Sequence, residues 1–294
     1  MDTVTRWFDT ARRAGPGDES VDWLRIVPFM ALHAACAAVW WVGWSGVALW
    51  VALASYAVRA FAISAFFHRG LAHRAFRTGR VVQFVFAFLG TAATQRGPLW
   101  WVAHHRNHHA HADGSGDPHD STRGFWWSHM GWFLCRAAFD TRVERVPDLA
   151  RFPELRWLNR YDLVPPVVCA VAMFALGEAL RPAYPGTGGW QMLVWGYVVS
   201  TVALMHATFL VNSVGHRHGR RSYETRDLSR NSWWLAMITM GEGWHNNHHR
   251  HSASARLGLR WWELDPGWLV LRLMAGVGLV RDLKTVSGDG GRCA

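Results

Sequence analysis

Histidine is the residue type whose number and placement in this chain point most directly to chemistry. The chain has 17 histidines in 294 residues, and the stretch GEGWHNNHHRH from Gly241 gathers several of them. Three groups and one isolated position contain the candidate ligands: His68 and His73; His105, His108 and His109; His245, His248 and His249; and His216. Imidazole suits zinc, copper, iron and nickel, whereas hard cations prefer carboxylates. The histidines therefore predict a transition-metal site.

The spacing within the groups implies a geometry. In the second and third groups the first and last histidines are four residues apart and another lies three after the first, and such positions share one face of a helix. We therefore expect each of these groups to direct three imidazoles at one point. His68 and His73 are five apart, which separates them by roughly 140° on a regular helix. They converge only if the helix ends between them, for which Gly70 offers a place.

The candidate ligands outnumber what a single octahedral ion accepts, so two metals are the simplest interpretation. A hydrolytic zinc site normally keeps about three protein ligands and an open position, and it does not need so many imidazoles. Iron performs the one-electron and O2 chemistry that no side chain can do alone, so oxygen activation fits better. We interpret the remaining isolated histidines as surface residues on basic loops: His33, His129, His206 and His218.

Long apolar runs must position these groups, since a bilayer span needs ~20 apolar residues. The run that begins at Ile26 is long enough for two helices that turn back near Gly43 to Gly46, and two more runs begin at Leu163 and Trp190. A shorter run from Val81 falls below the span length and predicts an interfacial or buried helix. The chain is therefore predicted to be an all-α membrane protein with four transmembrane helices in two hairpins.

The positive charges predict the orientation of these hairpins. Among the 31 Lys and Arg residues, only Arg59 and Arg181 fall within or between the predicted spans. The other positive residues lie in the three segments that two hairpins place on one side, and positive loops are cytoplasmic. We therefore expect a protein of the cell membrane with its termini and histidine groups in the cytoplasm. The groups would meet there in a helical cap that carries a dimetal site.

Charge and cysteine content exclude some other classes of protein. The net charge of +10 comes from scattered arginines without a nucleic-acid motif, so contact with lipid head groups explains it better than nucleic acid. The four cysteines form no CxxC pair and are predicted to be free thiols: Cys36, Cys135, Cys169 and Cys293. The N-terminus has no apolar core and is not predicted to be a cleaved signal.

At these residues the sequence resembles the membrane-bound fatty acyl desaturases, especially the acyl-CoA delta-9 type and its bacterial relatives. The three histidine groups match the HX4H, HX2HH and HX2HH boxes of that family. The resemblance extends over Leu24 to Lys284 and includes five further segments: DPH at Asp117, NSVGH from Asn212, RDLSRN from Arg226, GEGWHNNHH from Gly241 and LGLRWWELD from Leu257. It implies one desaturase domain over 1–294, with an N-terminal cytoplasmic segment (1–23), a core (24–284) and a C-terminal tail (285–294).

The resemblance also implies roles for individual residues. The eight histidines of the three groups, together with His216, become nine ligands of two iron ions, and Asn212 holds a metal-bound water. Gln95 and Trp101 match residues near the thioester end of the substrate. The implied reaction uses O2 and two external electrons to introduce a cis double bond, at the delta-9 position, into a long-chain acyl thioester. The acyl chain would lie bent in a tunnel beside the metals.

Several departures from the family pattern bear on the substrate and the partners. Ala103 and His104 stand where animal acyl-CoA desaturases have an Arg-Asp pair that contacts CoA, so the substrate is expected to be a fatty acyl-CoA or an acyl chain on another carrier. Arg96 replaces an asparagine, and the proline expected after the third box is missing. No HPGG motif of a cytochrome b5 domain is present. By resemblance to bacterial relatives, we expect a separate ferredoxin and its reductase as electron donor.

Other functions use the same residues. A di-iron hydroxylase or oxidase, or a specialised desaturase of a secondary-metabolite pathway, would have the same ligands and would differ in its product. A membrane metal transporter would place its ligands near the midplane of the spans, whereas these groups lie at or beyond the predicted span ends. Haem binding between axial histidines of facing spans is a further alternative, and a visible Soret band would identify it.

Overall fold

The computed structural model describes residues 9–10 and 18–286. The predicted N-terminal segment (1–23) and C-terminal tail (285–294) lie mostly outside these residues, as does Cys293. The described part is mostly helical, and its main helices are, in chain order, α1 (Val27–Val42), α2 (Gly46–Ala72), α3 (Arg80–Thr91), α4 (Pro98–His111), α5 (Pro153–Arg160), α6 (Val164–Leu180), α7 (Gly189–His216), α8 (Trp233–Ile238), α9 (His245–Arg250) and α10 (Pro266–Gly276).

Shorter elements complete the described chain. Short helical turns lie between α4 and α5: Ser121–Arg123, Trp127–Gly131, Trp132–Leu134, Arg136–Ala138, Val143–Arg145 and Pro147–Ala150. Two strands, β1 (Arg77–Thr78) and β2 (Val280–Arg281), pair antiparallel with Arg77 opposite Arg281. This pairing, with hydrogen bonds from Lys284 N–H to the Ala75 carbonyl and from Ala255 N–H to the Lys284 carbonyl, holds the C-terminal segment beside the end of α2.

Two of the helices are long and apolar enough to cross a membrane. They are α2, with 27 residues, and α7, with 28. The helices α5 and α6 meet the same criterion only as a pair and are bent by 75° at the break between them. The helix α1 ends before it reaches the ~20 residues of a span, and α3 is shorter still, in agreement with the interfacial or buried helix predicted for the run from Val81. Length and composition therefore support two spans, or three if the bent pair is one span.

The turn predicted near Gly43 to Gly46 is present. Gly43 ends α1 with φ of 62°, a conformation that glycine adopts without steric cost. The Ser45 hydroxyl accepts a hydrogen bond from Ala48 N–H and caps the start of α2, which satisfies one of the free donors of the first turn. Local turn chemistry thus separates two apolar helices within one hydrophobic run.

The C-terminal part of α2 differs from the expectation for the first histidine group. Instead of ending at Gly70, the helix continues as a π-helix from Ala62 to Ala72, and His68 lies inside it. A π-helix joins residues five apart by hydrogen bonds, and His73 N–H donates to the His68 carbonyl at 3.1 Å. The ring centroids of His68 and His73 are therefore only 4.9 Å apart. The helix does end between the two histidines, as predicted, but at Ala72 with His73 as its C-cap, and the widened π-turn contributes to bringing the two imidazoles together.

The interpretation of the isolated histidines is wrong for three of the four. His33 and His206 contact each other through Nε2 atoms 3.1 Å apart, and His129 Nε2 lies 3.0 Å from His206 Nδ1. His129 Nδ1 lies 3.0 Å from the Ser213 hydroxyl. This chain of hydrogen bonds links α1 and α7 with Trp127–Gly131. His129 is buried and both of its ring nitrogens have partners, as buried polar groups require. Only His218 is exposed as expected.

The cysteines within the described residues are free thiols, as predicted. Cys36, Cys135 and Cys169 are free cysteines without a disulfide, as the absence of CxxC pairs indicated.

Candidate metal centre

All nine histidines singled out in the sequence lie close together in the folded chain, although they come from four separate segments. They form a five-histidine group and an adjoining four-histidine group, and within each group the candidate ligand nitrogens lie within 4.8 Å of one another. The five-histidine group contains His68, His73, His105, His109 and His248. The four-histidine group contains His108, His216, His245 and His249. Each group could hold one metal ion.

The expectation that each box directs three imidazoles at one point is wrong. In α4, His105 and His109 belong to the five-histidine group while His108 belongs to the other. In α9, His248 belongs to the first group while His245 and His249, four residues apart, belong to the second. Neighbouring residues point about 100° apart on a helix, whereas residues four apart share a face. Each helix therefore contributes to both metal positions.

The spacing of the Nε2 atoms fits metal coordination. In the five-histidine group these atoms lie 3.0 Å apart for His68 and His248, 2.7 Å for His73 and His105, and 2.9 Å for His109 and His248. In the four-histidine group the distances are 2.9 Å for His216 and His245, 3.1 Å for His245 and His249, and 3.4 Å for His108 and His249. Nitrogen ligands about 2.0–2.1 Å from an ion and at right angles lie about 3 Å apart. The donor set therefore matches histidine-bound transition metals.

Four carboxylates orient four of these imidazoles from behind. The contacts between Nδ1 and carboxylate oxygen are 2.9 Å for His108 and Asp117, 2.7 Å for His216 and Asp113, 2.9 Å for His249 and Asp227, and 2.5 Å for His68 and Glu242. The contacts of Asp117, Asp113 and Asp227 are hydrogen bonds, and such a bond holds the ring in the tautomer that leaves Nε2 free for a metal. The sequence reasoning missed these acids. Their signal was present, since three of them lie in the DPH, RDLSRN and GEGWHNNHH segments.

Burial keeps most of these imidazoles neutral. Burial first, and then the charges of neighbouring histidines, hold the pKa well below its usual value for six residues: His73, His105, His108, His109, His245 and His248. Neutral imidazole is the form that binds metal. The pKa of the buried acid Asp227 is also lowered, but for a different reason. Burial alone would raise it, and the hydrogen bond with His249 and the charge of that ring outweigh burial.

These shifts predict how the stability of the metal-free protein depends on pH. The folded-state pKa of each such histidine lies below the unfolded value of 6.5, so below that pH the unfolded chain binds more protons. We expect stability to be full above about pH 6.5 and to fall on acidification by up to about 1.4 kcal/mol per pH unit for each histidine. Thermal unfolding of the metal-free protein in detergent at pH 8 and pH 5.5 measures this. Equal midpoints at the two pH values would contradict it.

Asparagines inside the third box set the position of α9. Asn246 Oδ1 accepts hydrogen bonds from the backbone N–H groups of Ser222 and Tyr223 at 2.8 and 2.7 Å. Asn247 Nδ2 donates to the Glu263 carboxylate at 2.8 Å. Both asparagines are buried. The polar residues between the histidines therefore anchor this short helix, which is too short to hold its own conformation.

Arg69 joins the first box to the C-terminal segment. It is fully buried, and its guanidinium makes a two-point contact with Asp265, at 2.9 and 3.0 Å. It also donates to the Met240 carbonyl at 2.7 Å and to Glu242 at 3.3 Å. Glu242 contacts His68. The position of His68, a candidate metal ligand, thus depends on its neighbour Arg69 and on Asp265, which lies almost two hundred residues away in sequence.

Two cavities adjoin the histidines. The larger cavity has a volume of about 200 Å³ and the smaller one about 50 Å³, and Trp101, His105, Thr208 and Asn212 line both. The smaller cavity reaches His68, His108 and His245 and has apolar walls formed by Ala60, Ile63, Leu204 and Val211. A largely apolar cavity beside the histidine groups suits an aliphatic substrate.

The predicted substrate and water residues lie on these walls. Gln95 lines the larger cavity and donates to the Thr208 hydroxyl at 3.1 Å. Trp101 stacks on the His105 ring at 5.1 Å between centroids. Asn212 lies one turn before His216 at the boundary of the two cavities. The structure thus brings all three beside the histidines, and their roles remain predictions.

The fold and the site together define a class: helical proteins with bilayer-length helices and a buried cluster of histidines that could hold metal ions. Comparison with known proteins agrees with this class. The family model described as fatty acid desaturase matches residues 38–280. The chain therefore belongs to the fatty acid desaturase family, as the resemblance of the histidine boxes indicated.

Individual relatives cover most of the chain. It is 38% identical over 267 residues to the sn-1 stearoyl-lipid 9-desaturase of Anabaena variabilis, an alignment that includes 90% of this chain and 94% of that protein. It is 38% identical to the sn-2 palmitoyl-lipid 9-desaturase of a Nostoc strain, over 90% of both chains. An acyl-CoA 5-desaturase of Anemone leveillei is also 38% identical, over 91% of this chain and 81% of its own. The relatives are oxidoreductases that act on lipid-bound or CoA-bound acyl chains.

Proposed function

We propose that this protein is an O2-dependent desaturase that introduces a cis double bond, at the delta-9 position, into a long-chain fatty acyl thioester. The nine histidines are the ligands of its di-iron centre, five at one ion and four at the other. The observation that supports this most directly is the division of the histidines into two adjoining groups in a chain of the desaturase family. Two of the relatives are 9-desaturases by name.

Iron fits the donor set better than zinc does. A catalytic zinc ion takes about three protein ligands and a water, whereas these groups offer five and four imidazoles. A bound iron pair supplies O2 activation and one-electron chemistry. Asn212, one turn before His216 and at the boundary of the two cavities, is placed to hold a water at the four-histidine group.

The chain itself orients the substrate and excludes water. The acyl chain passes from the larger cavity into the smaller one, where the apolar walls of Ala60, Ile63 and Leu204 exclude solvent. Trp101, shared by both cavities and stacked on His105, fixes the path of the acyl chain past the ligands. The four carboxylates keep the proton of each contacted imidazole on Nδ1, so that Nε2 stays available.

The membrane arrangement belongs to the same proposal. The protein is a multi-pass protein of the cell membrane with four spans in two hairpins, in which α1 and the bent pair α5 and α6 supply the spans besides α2 and α7. Of the nine histidines, only His68 and His216 lie within α2 and α7, and both lie near the C-terminal ends of these helices rather than at their middle. This placement supports a cytoplasmic cap and argues against a transport site at the midplane.

An external electron donor completes the reaction. We propose a ferredoxin with its reductase, since O2-dependent desaturation needs two electrons that the chain does not supply. Exposed arginines surround the segments that carry His216 and His249: Arg217, Arg220, Arg221, Arg226 and Arg250. Complementary charge speeds encounter with an acidic partner, so electron delivery should weaken as the salt concentration rises.

Expression in a host with a simple fatty-acid profile tests the proposed function. Chromatography of the fatty-acid methyl esters should show a new monounsaturated acid whose cis double bond follows the ninth carbon. Metal analysis should find about two iron ions per chain. An unchanged profile from iron-loaded protein supplied with reductant would contradict the proposal, and an oxygenated product would identify a hydroxylase instead. Purified enzyme given acyl-CoA, acyl-carrier-protein and glycerolipid substrates identifies the carrier.

A further inference from the structure

Three buried polar side chains on the wall of the larger cavity lack hydrogen-bond partners among the described residues. They are His104, His119 and Trp132. Within that part of the chain, both ring nitrogens of His104 and Nε1 of Trp132 have no hydrogen-bond partner, and Nδ1 of His119 has only a 3.7 Å contact with the Asp117 carboxylate. The residues are 4%, 5% and 7% exposed. We call these three residues the polar wall.

The polar wall is compact. The ring centroid of Trp132 lies 5.4 Å from that of His104 and 5.3 Å from that of His119. The neighbouring polar groups of the cavity are already used, since Trp100 Nε1 donates to the Ala138 carbonyl and Gln95 Nε2 donates to Thr208. The polar wall is therefore the part of the described cavity lining where unused donors are concentrated.

Unpaired donors of this kind are costly. A buried polar group without a partner costs about 1–3 kcal/mol, and folded proteins leave few of them. Three such residues around one cavity indicate that its occupant supplies the missing partner. A neutral imidazole offers one donor and one acceptor, and the indole nitrogen is a donor only. The occupant must therefore carry a hydrogen-bond acceptor at this place.

A saturated acyl chain carries its acceptor at one end only, at the carbonyl of its ester or thioester. The rest of the larger cavity near the polar wall is aromatic, with Phe29, Phe133 and Phe209 on its lining. The polar wall also lies close to the metal centre, because the His119 ring is 4.2 Å from the His108 ring. A carbonyl held here would lie at a set distance from the histidine groups.

We propose that His104 and Trp132, with His119 beside them, form the subsite that binds the acyl carbonyl and thereby determines which carbons of the chain reach the metals. This rests on the proposed function. The shared chemistry is the carbonyl of a thioester or a glycerol ester. His104 and Trp132 are positioning residues, because they hold the substrate and do not touch the reacting carbons.

Equilibrium binding tests the subsite without turnover. The probes are two matched pairs, stearoyl glycerol against octadecyl glycerol ether and stearoyl-CoA against its S-octadecyl thioether, and the members of each pair differ only in the carbonyl. Tryptophan fluorescence of the iron-loaded protein in detergent reports binding. In the pair built on the natural carrier, we expect the wild type to bind the carbonyl-containing member about tenfold more tightly than the member without the carbonyl. His104→Phe keeps the ring packing and should reduce that ratio to about two or less.

Controls separate a lost hydrogen bond from a lost fold. Trp132→Phe should lower the same ratio by a similar factor, and His104→Gln, which retains a donor and an acceptor, should recover part of it. His218→Phe, at an exposed site, should leave the ratio at the wild-type value. If His104→Phe does not fold, Trp132→Phe provides the same measurement.

The position of the product double bond is a second measurement that packing alone would not change. His104→Phe should give a mixture of positional isomers, because the chain loses its fixed end. The subsite is refuted if the wild type does not distinguish the members of either pair, or if His104→Phe and Trp132→Phe keep the wild-type ratio. If the binding ratios behave as expected and the wild type forms no double bond, the subsite stands and the proposed reaction fails.

Discussion

His245→Ala should lose desaturation completely and lower the iron content from two ions per chain to about one. His245 Nε2 lies 2.9 Å from His216 Nε2 and 3.1 Å from His249 Nε2, so it is a central member of the four-histidine group. Loss even of a residue that supports a ligand costs about 10–100-fold in metal affinity or activity, and loss of the ligand itself should cost more. The five-histidine group contains no atom of His245 and should keep its ion.

Metal analysis and product formation on the same purified sample measure this result. Membrane insertion should be unchanged, because His245 lies in α9, outside the helices long enough to span. His218→Ala is the matched control, since His218 is exposed and belongs to neither histidine group. Wild-type turnover in His245→Ala would mean that the assignment of the metal ligands is wrong.

Arg69→Met should be the most destabilising of the substitutions considered. The guanidinium is fully buried between Asp265 and Glu242. Methionine fills similar space but leaves two buried carboxylates without their cation. Removal of one partner of a buried ion pair costs about 3–5 kcal/mol. We expect a large fall in the unfolding temperature, and a fall in iron content because Glu242 would no longer be held against His68.

Thermal unfolding in detergent measures the effect against two comparisons. Arg69→Lys keeps the charge but cannot make the two-point contact with Asp265, so an intermediate loss is expected. Arg80→Met removes an exposed arginine that pairs with Glu154, and such surface pairs add little to stability. If Arg69→Met unfolds at the same temperature as Arg80→Met, the network around Arg69 does not support the fold.

The local sequence was sufficient to predict a histidine-rich candidate metal site and the helices that carry it. Imidazole spacing of three and four residues depends only on helix geometry, so the histidines could be assigned to a metal centre before any fold was known. The turn at Gly43 and the capping by Ser45 follow from short-range turn chemistry in the same way. The family resemblance carried by the boxes agrees with a family match over residues 38–280.

The division of the ligands was decided by the tertiary structure alone. The sequence spacing predicted that His105, His108 and His109 share one face of α4, whereas the structure divides them between the two histidine groups. The group that each of them joins depends on where α9 and the end of α2 lie. The π-helix at the end of α2 also escaped the sequence, since regular helix geometry placed His68 and His73 apart. That widened turn is held from outside, because Arg106 donates to the carbonyls of Leu71 and Ala72.

The sequence segments contained most of the carboxylate partners, but the histidine or arginine that each acid contacts could not be read from the spacing. Asp113 contacts His216 across 103 positions of sequence, and Asp265 contacts Arg69 across 196. Hydrophobic periodicity and residue spacing describe one helix at a time, whereas these contacts form between a helix and a loop or helix cap from a distant part of the sequence. The sequence therefore determined which side chains are the candidate metal ligands. The folded chain decided which histidine group each imidazole joins and which acid contacts it, because both depend on the packing of distant segments.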